Sequence, residues 1–409
     1  MFKQAIKIGM LSSFGLLLIG MSSCKNVEEK AAEIHNHAFT IDTHVDTPYH
    51  LLNKDFNISE YHPYEAGGSR VDFPRMKEGG LDGIFFAAFT SQRERSEENI
   101  LIAREKADEL IDSIYAACNK YSDMAEVALD VADGYRLERE GKRAIYIGLE
   151  NGFPIGTEIS EVERYYNKGV RYITLCHTSN NDICDSSTDR EGPEFNGLSK
   201  FGEEVVKEMN RLGILIDVSH ISDSSYYDVI ELSSAPIIAS HSCARAICDN
   251  PRNLSDDMLK ALAKNGGVIQ MCILDDYVKA PNKNSERYQK EMELRERYRK
   301  AGKMTKEEEQ KIWAEWRQMQ IDYPKEKPSV ADAVDHIDHI VKVIGIDYVG
   351  IGTDFDGGGG LKDCADVSQM MNITIELLKR GYTKEEIHKI WGGNFMRVFK
   401  QVEDLAEKV

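Results

Sequence analysis

AIYIGLEN, residues 144–151, is an unbroken apolar run that stops on Glu150 and Asn151. The same design lies on both sides of it. Upstream are GIFFAAF at 83–89 and FTIDTHVD at 39–46. Downstream come VRYITLCH at 170–177, ILIDVSH at 214–220, PIIASHS at 236–242, GVIQMCI at 267–273 and YVGIGTDFD at 348–356. Runs without polar alternation are strands buried on both faces, as in a parallel sheet. Charged segments with helical periodicity, such as 97–120, 199–212, 255–264 and 330–344, separate them. Eight strand–helix units predict an α/β chain folded as a (β/α)8 TIM barrel, one domain spanning 37–409. A doubly wound open sheet, the structural alternative, rarely uses eight such units.

In such a barrel the carboxyl ends of the strands converge on one mouth, where chemistry is done. Six of the eight runs close on a potential ligand or acid/base group: His44 and Asp46, Glu150, His177, His220, His241 and Asp354. His44 and Asp46, two apart in a strand, face the same side and can chelate one ion. His220 and His241, from adjacent strands, can hold a second, with Glu150 between the pairs as a bridging carboxylate. Imidazole with carboxylate suits zinc or another borderline divalent metal. Such a pair of ions lowers the pKa of bound water and polarises a carbonyl. Asp354, on the last run beside the first, is placed to move protons to and from that water. One strand-end histidine alone is more often structural; the cluster carries the reading, because so many ionisable groups in one mouth need cations to balance them.

Two segments interrupt the pattern. Residues 286–322, between the seventh and eighth runs, are dense in Glu, Lys and Arg and predict a helical hairpin broken near Gly302. Tyr288 with Met292, and Ile312 with Trp316, supply its apolar stripes. A solvated hairpin packed on the barrel is the reading, with a lid or dimer contact as the alternative. Four consecutive glycines, 357–360, are followed by no Lys-Ser/Thr and so form no phosphate loop; they read as a flexible loop.

The amino terminus reads as an address. Lys3 and Lys7 precede an uncharged apolar stretch from Ile8 to Met21, then Ser22, Ser23 and Cys24. This is a secretory signal of lipoprotein type, residues 1–23, cleaved before a lipidated Cys24. The expectation is an exported protein whose membrane contact is the lipid anchor alone, with residues 25–36 as a polar linker. Lys25, in place of the Asp tied to inner-membrane retention, favours the outer membrane. The other seven cysteines show no CxxC spacing, so a zinc–thiolate site is not expected and no disulfide pairing is fixed. A net charge of -18 excludes nucleic acid as a partner.

IDTHVDT (41–47), IGLEN (147–151), TLCHTSNN (174–181), DVSH (217–220), IIASHS (237–242), NPRN (250–253) and GIGTDFDG (350–357), in this order, resemble the membrane (renal) dipeptidase family. The resemblance runs from about Phe39 to Phe399. It implies a two-zinc peptidase: His44 and Asp46 on one zinc, His220 and His241 on the other, Glu150 bridging, and hydroxide between the metals attacking a dipeptide carbonyl. It further implies that His177 supports the carbonyl oxygen, that Arg252 binds the substrate's terminal carboxylate, and that Asp354 handles protons. A homodimer and tolerance of a C-terminal D-residue are also implied. Another TIM-barrel metal-dependent amidohydrolase is the first rival, but such enzymes typically open with HxH and often bridge with Lys; here there is HxD and a carboxylate. An inactive binding lipoprotein is the second, although the ligand set shows no erosion.

Overall fold

The structure, a computed structural model, describes residues 27–64, 68–301 and 305–406. The signal segment and Cys24 lie outside them, as does the hairpin's break near Gly302. Nine strands form one sheet: β1 (Ile41–Val45), β2 (Gly83–Phe89), β3 (Ala125–Val127), β4 (Arg143–Glu150), β5 (Val170–Thr174), β6 (Leu215–Asp217), β7 (Ile238–Ser242), β8 (Val268–Met271) and β9 (Val349–Ile351). Eight of them follow one another in parallel, β1-β2-β4-β5-β6-β7-β8-β9. A parallel bridge between Val45 and Phe355, with Asp46 N–H donating to Phe355 O at 2.9 Å, brings the last strand back to the first. The expected TIM barrel is therefore present. The short β3, which pairs only with β4, was not anticipated; three residues within a polar stretch give no apolar run to read.

The helices between strands begin where the chain offers caps. Ser96, Ser199, Ser255 and Ser329 each accept a backbone N–H of the first turn, opening helices Glu97–Lys120, Lys200–Leu212, Asp256–Asn265 and Val330–Ile344. One apolar layer lies between these helices and the barrel wall. A second fills the barrel's amino-terminal end, where Phe85 stacks between Tyr146 and Tyr172 and Phe395 and Phe399 of the last helix plug the base. The bottom of the barrel is thus dry and closed. The strand-end ionisable groups gather at the other end.

Three local expectations need correction. The supposed linker is helical over residues 27–35, because Ala31, Ile34 and His35 form a buried stripe beneath its charged surface. His35 Nε2 donates to Gly79 O at 2.9 Å, its Nδ1 meets the Thr374 hydroxyl at 2.7 Å, and its ring stands edge-on to Trp391. The glycine run is no loose loop: the N–H groups of Gly357, Gly358 and Gly359 all point to Asp354 O, and a Cβ on Gly357 would meet Asp46 Oδ2 at 2.0 Å. The hairpin exists, as helices Glu286–Ala301 and Lys306–Asp322, with Tyr288, Ile312 and Trp316 half-buried as its stripes require, but Met292 faces solvent and Leu294 and Met319 are the buried residues. All seven described cysteines are buried and unpaired.

His35→Ala is expected to cost about 2–3 kcal/mol, since it strands two buried partners and opens a gap beside Trp391; denaturant unfolding measures it. Burial also lowers the His35 pKa. The folded state therefore prefers the neutral ring, and this contribution is complete above the unfolded value of about 6.5 and lost as pH falls through it and on through the lower folded value. Protection factors of the amides in residues 27–35, referred to the intrinsic exchange rate at each pH, should fall on that acid side.

Candidate active site

All seven strand-end groups converge at the mouth. Glu150, the last residue of β4, stands at the centre. Its Oε2 lies 3.4 Å from His44 Nε2, while its Oε1 lies 3.3 Å from His220 Nε2 and 3.7 Å from both His241 Nε2 and His177 Nε2. Asp46 Oδ2 approaches His44 Nε2 at 3.8 Å, and His220 and His241 bring their Nε2 atoms within 2.9 Å of each other. Among the described residues three donor sets fall within 4.8 Å: His44–Glu150–His241, Glu150–His177–His220 and His44–Asp46–Asp354. Glu150 and His44 each belong to two of these. The grouping also puts His177 and Asp354 within donor range, which the assignment by strand pairs did not foresee.

Backbone strain holds this geometry. His220, Asp354 and Asn151 adopt positive φ of 74°, 61° and 74°. Left-handed non-glycine residues cost of order 1 kcal/mol or more each and persist where surrounding structure over-determines them. Around Asp354 that structure is the Gly357–Gly359 turn and its own N–H bonded to His44 O at 3.0 Å.

Electrostatics follow from crowding. Burial opposes ionisation of Glu150, but the His44 charge and the close approach of His220 and His44 Nε2 hold its carboxyl well below the usual range. Burial likewise opposes protonation of His44, yet Glu150 and Asp46 raise it to about 10. Burial, then the Arg252 charge, keeps His220 well below an ordinary histidine; burial and His44 do the same for His241. For Asp354, burial, resisted by His44 and reinforced by Glu150, lifts the carboxyl to about 7. Asp46 is raised well above its ordinary value by burial and Glu150. Three buried atoms here, His44 Nε2, Asp46 Oδ1 and His220 Nδ1, have no hydrogen-bond partner. The neutral imidazoles of His220 and His241, a His44 ring held by neighbouring carboxylates, and unpartnered donor atoms form a donor set that fits divalent cations.

A cavity of about 530 Å3 opens over this cluster, walled by Tyr49, Phe89, Leu274 and Tyr277. No described residue of the hairpin lines it. A neighbouring cavity of about 670 Å3 shares Thr178, His220 and Tyr277 and adds Arg252. The Arg252 guanidinium is buried, its Nε has no partner, and its Nη2 donates to the His241 carbonyl at 3.3 Å. Tyr277 lies 5.1 Å beneath it. A buried cation without a carboxylate is placed for an anion from outside. Tyr277 escaped the sequence reading because DDYV carries no local sign of chemistry.

A family model described as Membrane dipeptidase (Peptidase family M19) matches residues 28–409. Among curated proteins, Dipeptidase 3 of Homo sapiens is 32% identical over 375 residues, covering 90% of this chain and 66% of its own length. Among solved structures, the probable dipeptidase PvdM from Pseudomonas aeruginosa superposes with a TM-score of 0.85 at 29% identity, covering 93% of this chain and 100% of that one. A metallopeptidase from Rhodobacter sphaeroides, liganded with a phosphinate mimic of the dipeptide L-Ala-D-Ala, shares the fold at a TM-score of 0.72 and 20% identity over 89% of this chain and 99% of that one.

Proposed function

The chain belongs to the membrane dipeptidase family of metallopeptidases, and from that premise we propose that it hydrolyses dipeptides with two zinc ions held at the barrel mouth. The observation that carries this reading is the division of Glu150's two oxygens between His44 on one side and His220, His241 and His177 on the other. His44 and Asp46 would hold one ion and His220 and His241 the other, with Glu150 common to both. Bound there, divalent cations polarise a carbonyl and make water a competent nucleophile near neutral pH.

The side chains supply the rest. Arg252 engages the substrate's terminal carboxylate with its fork of N–H groups, which selects short peptides and fixes the scissile bond over the cluster. His177, its ring packed against Phe89 and His220, donates to the carbonyl oxygen as negative charge develops. Asp354, at the mouth beside His44 and Asp46, takes a proton from the attacking water and returns one to the departing amine. Arg252→Met should raise KM and lower kcat/KM for dipeptides by about 100-fold, the effect of removing one side of a buried charge contact. Steady-state kinetics on Ala-Ala measure it; an unchanged KM would remove Arg252 from the binding site.

A C-terminal D-residue is part of the same reading, supported by the expected export and by the L-Ala-D-Ala mimic bound to the Rhodobacter relative. Lipid attachment at Cys24 and a homodimer also belong to it; fatty-acid labelling that persists in Cys24→Ala, or a monomer in sedimentation, would remove them. The deciding experiment pairs metal analysis of purified protein with turnover of L-Ala-L-Ala and L-Ala-D-Ala, with and without chelator. About two zinc ions per chain and chelator-sensitive hydrolysis of both peptides are expected. Full activity after metal removal sinks the metallopeptidase reading; inert L-Ala-D-Ala removes the D-residue alone.

A further inference from the structure

A histidine holds a metal well only when its second ring nitrogen is tied down. His44 and His241 both turn Nε2 toward Glu150, and each meets a hydroxyl at Nδ1. For His44 it is Tyr172, at 2.8 Å. Tyr172 rises from β5, fully buried, with its ring stacked 5.0 Å from Phe85. Gly148 on the neighbouring strand leaves the space this ring needs, since a Cβ there would stand 2.1 Å from Tyr172 Cζ. For His241 it is Ser240, at 2.8 Å.

The Ser240 hydroxyl has its own direction. It donates to Asp217 Oδ2 at 2.7 Å, and Asp217 is fully buried, accepting also from the Thr174 hydroxyl and from the N–H groups of Ser219 and Ser240. With its proton given to the carboxylate, Ser240 Oγ can only accept from His241 Nδ1–H. That choice leaves the lone pair on Nε2. His44 reaches the same state if Nδ1–H donates to the Tyr172 oxygen, and its Nε2 has no other partner.

We propose that Tyr172 and Ser240 are the positioning residues of the metal centre, fixing the ring orientation and tautomer of His44 and His241 respectively. The inference rests on the two-metal reading above and adds which residues, outside the ligand set, tune each ion. The test uses purified wild-type, Tyr172→Phe and Ser240→Ala proteins, each loaded with zinc and titrated against a chromophoric chelator. Each variant should lose about 10–100-fold in one of the two zinc-binding steps and keep the other. Nitrogen-15 spectra of histidine-labelled, zinc-loaded wild type should show Nδ1–H tautomers for both rings, and that signature should be disturbed at one histidine in each variant. Thermal melting of the metal-free proteins separates this from misfolding, and Tyr172→Phe, which removes one oxygen and keeps the stacked ring, decides the matter if Ser240→Ala does not fold. Wild-type protein holding two zinc ions beside variants of unchanged affinity would overturn the proposal alone. A wild type that takes up no zinc overturns the functional reading with it.

Discussion

Glu150→Gln is expected to lower kcat/KM for dipeptides by about 10^4-fold, some 5–6 kcal/mol of transition-state stabilisation. The substitution preserves shape and changes charge. Each Glu150 oxygen faces a different set of histidines, so a neutral amide offers a ligand to one side only and turns an N–H2 toward the other. The charge that makes His44 basic disappears with it. Zinc content should fall below two per chain, and the lost activity should return only partly at high zinc. Metal analysis and kinetics on the same preparation check this. A Glu150→Gln protein that kept both ions and most of its turnover would show that the carboxylate does not bridge.

The prominence of Glu150 was legible before the fold was known, and the reason is geometric. A parallel barrel gathers strand ends, so a carboxylate at the tip of AIYIGLEN and histidines at the tips of IASHS and IDTHVD must meet, although they lie far apart in the chain. The apolar runs located eight strands because burial on both faces leaves no polar alternation. What stayed hidden depends on contacts between runs. Tyr172 reads as one more core aromatic, and only the register of β4 and β5 sets it against Gly148 and beneath His44. Asp217 and Ser240 are neighbours only across strands. The positive φ of His220 and Asp354 has no local marker, since neither is a glycine. The charged surface of residues 27–35 concealed a stripe of three buried residues, and the glycines at 357–360 looked loose because the side chains that crowd Gly357, Gly358 and Gly360 include Asp46, Leu274 and Arg70, all far off in the chain.

Asp354→Asn should reduce kcat by about 10^3-fold while leaving zinc content near two per chain and KM within a few-fold, the pattern of a lost proton carrier. Asparagine fits the strained backbone as well as aspartate does, because both tolerate the left-handed region, so the Gly357–Gly359 turn has no cause to move. What the amide cannot do is accept a proton from water and release it to an amine. The contrast with Glu150→Gln gives the experiment its force: one variant loses ions and turnover together, the other turnover alone. The geometry leaves room for the opposite result, since Asp354 stands with His44 and Asp46 in a possible donor set. If the Asp354→Asn protein lost zinc in proportion to activity, Asp354 would be a ligand, and the proton would have to travel through another group at the mouth, with His177 the nearest candidate by its contact with Glu150 at 3.7 Å.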